Sequence, residues 1–450
     1  MRKGTRIALP GLLIAVCAAS AGAQDPLRRK GDLGITVRSP GAPTKPGAEI
    51  ARVRPGGAGE RSGLAVGDRI LAVDGRKLTD EATLSRVYER LRAGDRVRLT
   101  VARSAEEFDR TVTVPALPLE RIGGLEVVYG SVVSEKGHRV RTIRTRPEGA
   151  AGRLPGLFLV GWLSCDSVES PLGAPDGFAR LLRDVMTRSG YVVLRMDKPG
   201  VGDSEGPACA DTDFETELAA YRAAFRAFAT SPEVDPRRIV VMGMSNGGGF
   251  APLVVGDAPV AGFVVSGGWS KTWLEHMLEI ERRRLSLSGA EPGEVSRQMK
   301  GMSELYDLYL NGKKTPGEVV RERPRLAPLW EDEPAHQYGR PAAFYQQLQE
   351  LNLAAAWQKV SAPVLSIHGE YDWIMSREDH ELIVAWVNRN RPGAGRFVAI
   401  PRMDHGYRRY ASPEAAFRGE GGVYAEDVSD TIVDWLRARA LEMRISESKG

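Results

Sequence analysis

Two kinds of apolar patterning divide this chain. Within residues 31–117 the apolar positions come in short alternating runs, Ile50-Ala51-Arg52-Val53 and Val97-Arg98-Leu99-Thr100-Val101. That period of two belongs to strands with one buried face. A helix is predicted over 81–92, with Leu84, Val87 and Leu91 on one side; Gly94 ends it, and 97–101 is the closing strand. Residues 118–125, with Pro118 and Gly123-Gly124, form a junction. Past it, two alternating strands (125–133 and 139–145) carry Arg139, Arg141, Arg144 and Arg146 in an arrangement that suits a solvent-wetted sheet face.

The pattern then changes. Leu157-Phe158-Leu159-Val160, 191–196, Ile239-Val240-Val241-Met242, Gly262-Phe263-Val264-Val265, Val364-Leu365-Ser366-Ile367 and 396–400 are apolar runs of strand length. Strands of this kind are covered on both faces. Helical spacing separates them at 178–188 and 214–230, so a parallel sheet with crossover helices is predicted. Residues 270–358 break the rhythm with helices at 273–287, 294–310 and 342–351. An α/β unit spanning 125–445, with a helical insertion at about 270–358, is therefore expected after a small β-rich unit.

Length and composition narrow this further. A chain of 450 residues holds two or three folding units, and 42% hydrophobic with 27% charged residues describes a globular protein. Arg2, Lys3 and Arg6, an apolar stretch to Ala19 and then Ala21-Gly22-Ala23 have the order of a secretory signal peptide over 1–23. Cys17 follows Val16, where a lipoprotein site wants a small residue, and no stretch is long enough for a stable membrane span. An exported protein, periplasmic or secreted, is the expectation. Without the leader and its three basic residues the formal charge falls from +4 to +1, which excludes an electrostatic case for nucleic acid or an anionic membrane. Export leaves Cys165 and Cys209, for which one disulfide is expected, with two buried thiols as the alternative. The scattered histidines lack metal-ligand spacing, so neither metal nor cofactor is expected.

The candidate chemistry centres on Gly243-Met244-Ser245-Asn246-Gly247-Gly248-Gly249, an apolar strand running through a glycine-rich corner into Phe250-Ala251. This resembles the nucleophile elbow of α/β-hydrolases, in which a strained turn lifts a serine above the sheet. The loop Asp197-Lys198-Pro199-Gly200-Val201-Gly202-Asp203-Ser204 resembles the Asp-x-x-Gly-x-Gly-x-Ser turn of the same superfamily, a structural element there. The resemblance implies an acid after the 364–367 strand, where Asp372 stands and Glu370 is runner-up. It also implies a base after the last strand, where His405 stands, in the chain order Ser245, Asp372, His405. An oxyanion hole would use the N–H of Asn246 and one from Trp162 or Leu163, since the usual His-Gly is absent after Val160. A Cys165–Cys209 disulfide would brace that loop. The insertion would act as a cap, with Trp273, Met277, Tyr306, Tyr309, Phe344 and Tyr345 as cap core or pocket lining.

The first unit, through the stretch running from Gly63-Leu64-Ala65-Val66-Gly67-Asp68 to Val73-Asp74-Gly75, resembles a PDZ domain. That implies a groove in which a peptide adds as a strand, its C-terminal carboxylate held by N–H groups of Leu33, Gly34 and Ile35. Three functions follow as expectations: hydrolysis of small carboxylic esters, a prolyl-oligopeptidase-like peptidase acting on short peptides, or a PDZ-based binding protein with a vestigial hydrolase unit.

Overall fold

A computed structural model describes residues 27–37, 47–78, 87–104, 106–170 and 175–447. The expected leader and most of the first predicted helix lie outside them; residues 87–90 are helical. The N-terminal unit comprises β1 (Ile35–Val37), β2 (Ala48–Val53), α1 (Ala58–Arg61), β3 (Arg69–Val73), β4 (Arg76–Lys77), β5 (Arg96–Arg103) and β6 (Glu106–Thr113). They form one antiparallel sheet ordered β1-β2-β3-β5-β6, with β4 on β3, around Leu33, Ile50, Ile70, Leu99, Val101 and Val112. The predicted closing strand is not the last. Strand β6 pairs with all of β5, from Arg96 opposite Thr113 to Arg103 opposite Glu106. Its sequence hides it: only Phe108 and Val112 are apolar, because most of the strand faces water.

The second unit opens with β7 (Leu125–Val133), β8 (Arg139–Pro147) and β9 (Leu154–Val160). Helix α2 (Gly177–Arg188) leads to β10 (Val192–Met196), and α3 (Phe214–Ala229) leads to β11 (Val234–Met244). Each helix starts on an aspartate, Asp176 accepting from the Ala179 N–H and Asp213 from the Thr216 N–H. Next come α4 (Asn246–Val255) and β12 (Gly262–Ser266), and after the insertion β15 (Val364–Gly369), α10 (Arg377–Asn390) and β16 (Gly395–Ile400). The eight strands are ordered β16-β15-β12-β11-β9-β10-β8-β7, parallel from β16 to β10, with β8 antiparallel to both its neighbours. This is the α/β-hydrolase architecture. The chain leaves β9 toward one edge and returns on its other side as β11. The loops after β9 and β11 thus separate a crevice at the carboxyl ends of the strands, where ligands bind in open α/β sheets.

The arginine face is a correction. Arg144 and Arg146 are partly exposed beside Glu233, but Arg141 is only 1% exposed. Its guanidinium pairs with Asp197, with Glu169 at 2.9 Å and with Asp203 at 3.1 Å. Asp197 and Asp203 belong to the glycine-rich turn after β10, so that turn is tied to β8 by charge. Burial would be costly for any of these ions alone, which is why they cluster.

The insertion holds α5 (Trp273–Leu287), α6 (Pro292–Tyr306), α7 (Pro316–Glu322), the short hairpin β13 (His336–Gln337) and β14 (Arg340–Pro341), α8 (Ala342–Gln349) and α9 (Leu353–Gln358). A Thr272–Glu275 capping box starts α5. Met277, Tyr306, Tyr309, Phe344 and Tyr345 are buried in one cluster continuous with the sheet's core.

Candidate active site

Strand β11 delivers Ser245 to the crevice in a backbone conformation L-residues avoid, φ 53° and ψ −126°. The corner closes only because its neighbours lack side chains. A Cβ at Gly243 would lie 2.6 Å from Gly247 O, and one at Gly247 would lie 2.3 Å from Gly161 O and 2.4 Å from Val160 O. Gly247 thus lets the first turn of α4 pack against the loop that leaves β9.

Two further loops converge on the serine. His405, after β16, places Nε2 2.9 Å from Ser245 Oγ and Nδ1 2.9 Å from Asp372 Oδ2. Asp372, after β15, is held from the other side: Oδ1 accepts the N–H groups of Ile374 and Met375, each at 2.9 Å. Burial pushes this carboxyl up, but the His405 charge and hydrogen bond, with the Met375 amide, outweigh it and hold it at about 2. For His405 the balance also runs against burial. Burial lowers the imidazole, while the Asp372 charge and hydrogen bond and the Asp404 charge leave it above its usual 6.5. Phe178 packs edge-on to the ring at 5.8 Å.

The runner-up acid is elsewhere. Glu370 accepts the Arg402 N–H at 2.8 Å. His368 and His380 are buried with their rings 5.3 Å apart, His380 Nδ1 meeting Ser366 Oγ at 2.8 Å, and desolvation lowers both.

Ser245, Asn246, Trp162, Leu163 and His405 all line one cavity of about 850 Å³. Its walls include Phe178, Leu182, Met186, Ile280, Trp373 and, from the expected cap residues, Trp273. Leu117 at the end of the N-terminal unit, Lys30 just before it and Pro118 of the junction line one side. Sequence reasoning offered no reason to expect that wall, because nothing local to those residues shows what they meet. The Gly161 N–H is donated to Tyr221 Oη at 3.0 Å, whereas the amides of Asn246, Trp162 and Leu163 find no acceptor among the described residues. Cys165 and Cys209 are joined as a disulfide, fixing the end of the 161–165 loop to the segment after the glycine-rich turn.

Lys198 and Arg340 were also invisible to motif reading. Lys198 Nζ donates to the carbonyls of Trp162, of Leu163 at 3.0 Å and of Ser164 at 2.6 Å. Burial, with help from the Arg340 charge, pulls the ammonium down to about 8 against the pull of Glu217. Arg340, from the cap, reaches Leu163 O at 3.2 Å and Glu217 Oε2 at 2.5 Å. Among the described residues no group of three or more His, Cys, Asp or Glu is placed to hold a metal ion.

Residues 177–406, just over half of the chain, match the family described as serine aminopeptidase, S33. The chain belongs to this family. This member of the serine aminopeptidase family is a serine hydrolase, and it carries a PDZ domain, matched over residues 31–114. A 72-residue stretch is 40% identical to a probable periplasmic DegP-like serine endoprotease of Halomonas elongata, covering 16% of this chain and 15% of that protein. The corresponding protein of Pseudomonas putida is 35% identical over the same length. The chain thus spans about 15% of the length of the curated relatives it matches. Among solved structures, an esterase of Pyrococcus furiosus is 12% identical, covering 72% of this chain and 98% of that one with a TM-score of 0.44. A Butyrivibrio proteoclasticus protein with ferulic acid bound is 15% identical, covering 70% and 98% with a TM-score of 0.43.

In the PDZ domain one of the three amides expected to hold a peptide carboxylate already has an acceptor. Leu33 is buried and Ile35 begins β1, but the Gly34 N–H donates to Asp32 Oδ1 at 2.8 Å, and Asp32 is in turn paired with Arg54. An aspartate two residues upstream makes this local turn easily. A peptide carboxylate would have to displace it to use all three amides.

Proposed function

We propose that the protein is an exported serine hydrolase that cleaves carboxylic esters of small or medium size. The observation that carries this is the chain of contacts from Ser245 through His405 to Asp372, opening on a largely apolar capped cavity. In this reading Ser245 Oγ attacks the carbonyl carbon while His405 Nε2 accepts its proton. His405 then gives the proton to the leaving alcohol, and an acyl-enzyme on Ser245 remains. Water attacks that ester with His405 again as base, releasing the acid and restoring the serine. Asp372 keeps the imidazole oriented and stabilises its charged form. The Asn246 N–H and one from Trp162 or Leu163 would hold the oxyanion. No cofactor is required by these steps.

A peptidase reading is favoured by the family's own description as serine aminopeptidase. Export is supported by the leader-like N-terminus, by the disulfide, and by the periplasmic description of the DegP-like relatives. The PDZ domain would bind or tether through a peptide's C-terminus. No helix of the described residues is long and apolar enough to cross a membrane.

Fluorophosphonate labelling, followed by a panel of aryl esters and aminoacyl arylamides, tests the assignment. Labelling at Ser245 with esters turned over far faster than amides is expected. Equal amide turnover would move the enzyme to the peptidases, and folded protein without an adduct at Ser245 would leave the PDZ-based binding reading.

The pH profile is a second check. A protonated His405 cannot accept the serine proton, and its pKa is raised. We therefore expect kcat/KM to increase with pH through a midpoint above 6.5, with Asp372, held at about 2, ionised throughout. An acid limb with its midpoint below 6.5 would contradict the charge balance at this site.

A further inference from the structure

The loop after β9 has an unusual support: one buried ammonium collects three successive carbonyls, those of Trp162, Leu163 and Ser164. A peptide unit is planar and trans, so each carbonyl points opposite to the N–H of the following residue. With these oxygens drawn toward Lys198, the amides of Leu163, Ser164 and Cys165 face the other way. Lys198 lies beneath the loop, 4% exposed, between the loop and the buried Glu217 on α3, whereas Leu163 and Ser164 line the cavity beside Ser245. Arg340 adds a second cation on the same side, bonding Leu163 O and Glu217.

We propose that Lys198 is a positioning residue for the oxyanion: by gathering the carbonyls of residues 162–164 it aims the Leu163 N–H at the carbonyl oxygen of the substrate. The inference rests on the reading of Ser245 as nucleophile. It also decides between the two candidate donors, since the Trp162 N–H shares its peptide plane with the Gly161 carbonyl, which Lys198 does not hold. Arg340 stiffens the same arrangement from the cap. Lys198 never touches substrate; it acts through the backbone.

Lys198→Met separates this role from a purely structural one. Loss of an aligned oxyanion donor removes transition-state stabilisation, so kcat falls about 100-fold while KM stays within about threefold. Affinity for an arylboronic acid, which forms a tetrahedral adduct on Ser245, falls in parallel with kcat. Where the Met variant does not fold, Lys198→Gln offers two donors for three carbonyls and shows the same split with a smaller drop. Arg340→Gln moves kcat and boronate affinity the same way, by less than Lys198→Met. Folded Lys198 variants with wild-type kcat and boronate affinity, or a change in KM alone, would overturn the proposal. If the wild type itself takes no fluorophosphonate at Ser245, the functional reading fails instead, and the two failures are distinct.

Discussion

Replacing Ser245 with alanine is expected to lower kcat on ester substrates by a factor on the order of 10⁶, with fluorophosphonate labelling abolished. The size follows from cooperation. Ser245, His405 and Asp372 form one hydrogen-bonded chain, so in the proposed mechanism losing the serine removes the benefit of the other two. What remains is substrate binding and the amides around the oxyanion, worth about 10³ to 10⁴ over water. Folding is not at stake: serine and alanine suffer alike at φ 53°, so the variant melts with the wild type. Ser245→Gly relaxes that backbone and is equally inactive without being less stable than the alanine variant. Activity above about 1% of wild type in folded Ser245→Ala would show that another group attacks the substrate.

Much of this site was legible in the sequence because its signals are local. A strand, a corner that tolerates only glycine, and a helix are consecutive, and each half of the Gly-x-Ser-x-Gly pattern answers a steric demand in the same turn. Asp372 and His405 were readable by position, since each follows an apolar strand and the order of strands fixes which loops meet. The cysteine pair was readable for a compositional reason: outside the leader-like stretch, which holds Cys17, the sequence has only Cys165 and Cys209. What escaped is long-range. Nothing near Lys198 shows that three carbonyls from thirty-odd positions upstream converge on it. Strand β6 was hidden because an edge strand with one wet face carries few apolar residues. The Gly34 amide was read from a general pattern, and one particular neighbour, Asp32, changes its partner.

Arg141 shows the same limit with a larger energetic consequence, and Arg141→Met is expected to destabilise the protein by about 3–5 kcal/mol. The variant keeps the stem's volume but leaves three carboxylates, Asp197, Glu169 and Asp203, with Arg29 as their main counter-charge. Asp197 is fully buried, and its pKa already sits above normal because burial exceeds the pull of Arg141; without that pull burial raises it further. Arg144, on the same strand and partly exposed beside Glu233 at 3.0 Å, is the control. Arg144→Met should cost much less than Arg141→Met, because this single pair is partly open to water and leaves one carboxylate rather than three without its partner. Urea unfolding midpoints of the two variants give the comparison directly, and equal costs would mean that the Arg141 cluster is not holding the fold. Catalysis should register the difference too. Arg29 also donates to Leu117 O at 2.9 Å and Pro118 O at 3.0 Å, and the Lys30 N–H to Asp203 at 2.7 Å, so the cluster roots the PDZ domain on the hydrolase unit. Lys30, Leu117 and Pro118 are also wall of the cavity beside Ser245. Loosening the cluster therefore loosens that wall, and KM for the larger esters should rise in Arg141→Met before kcat falls.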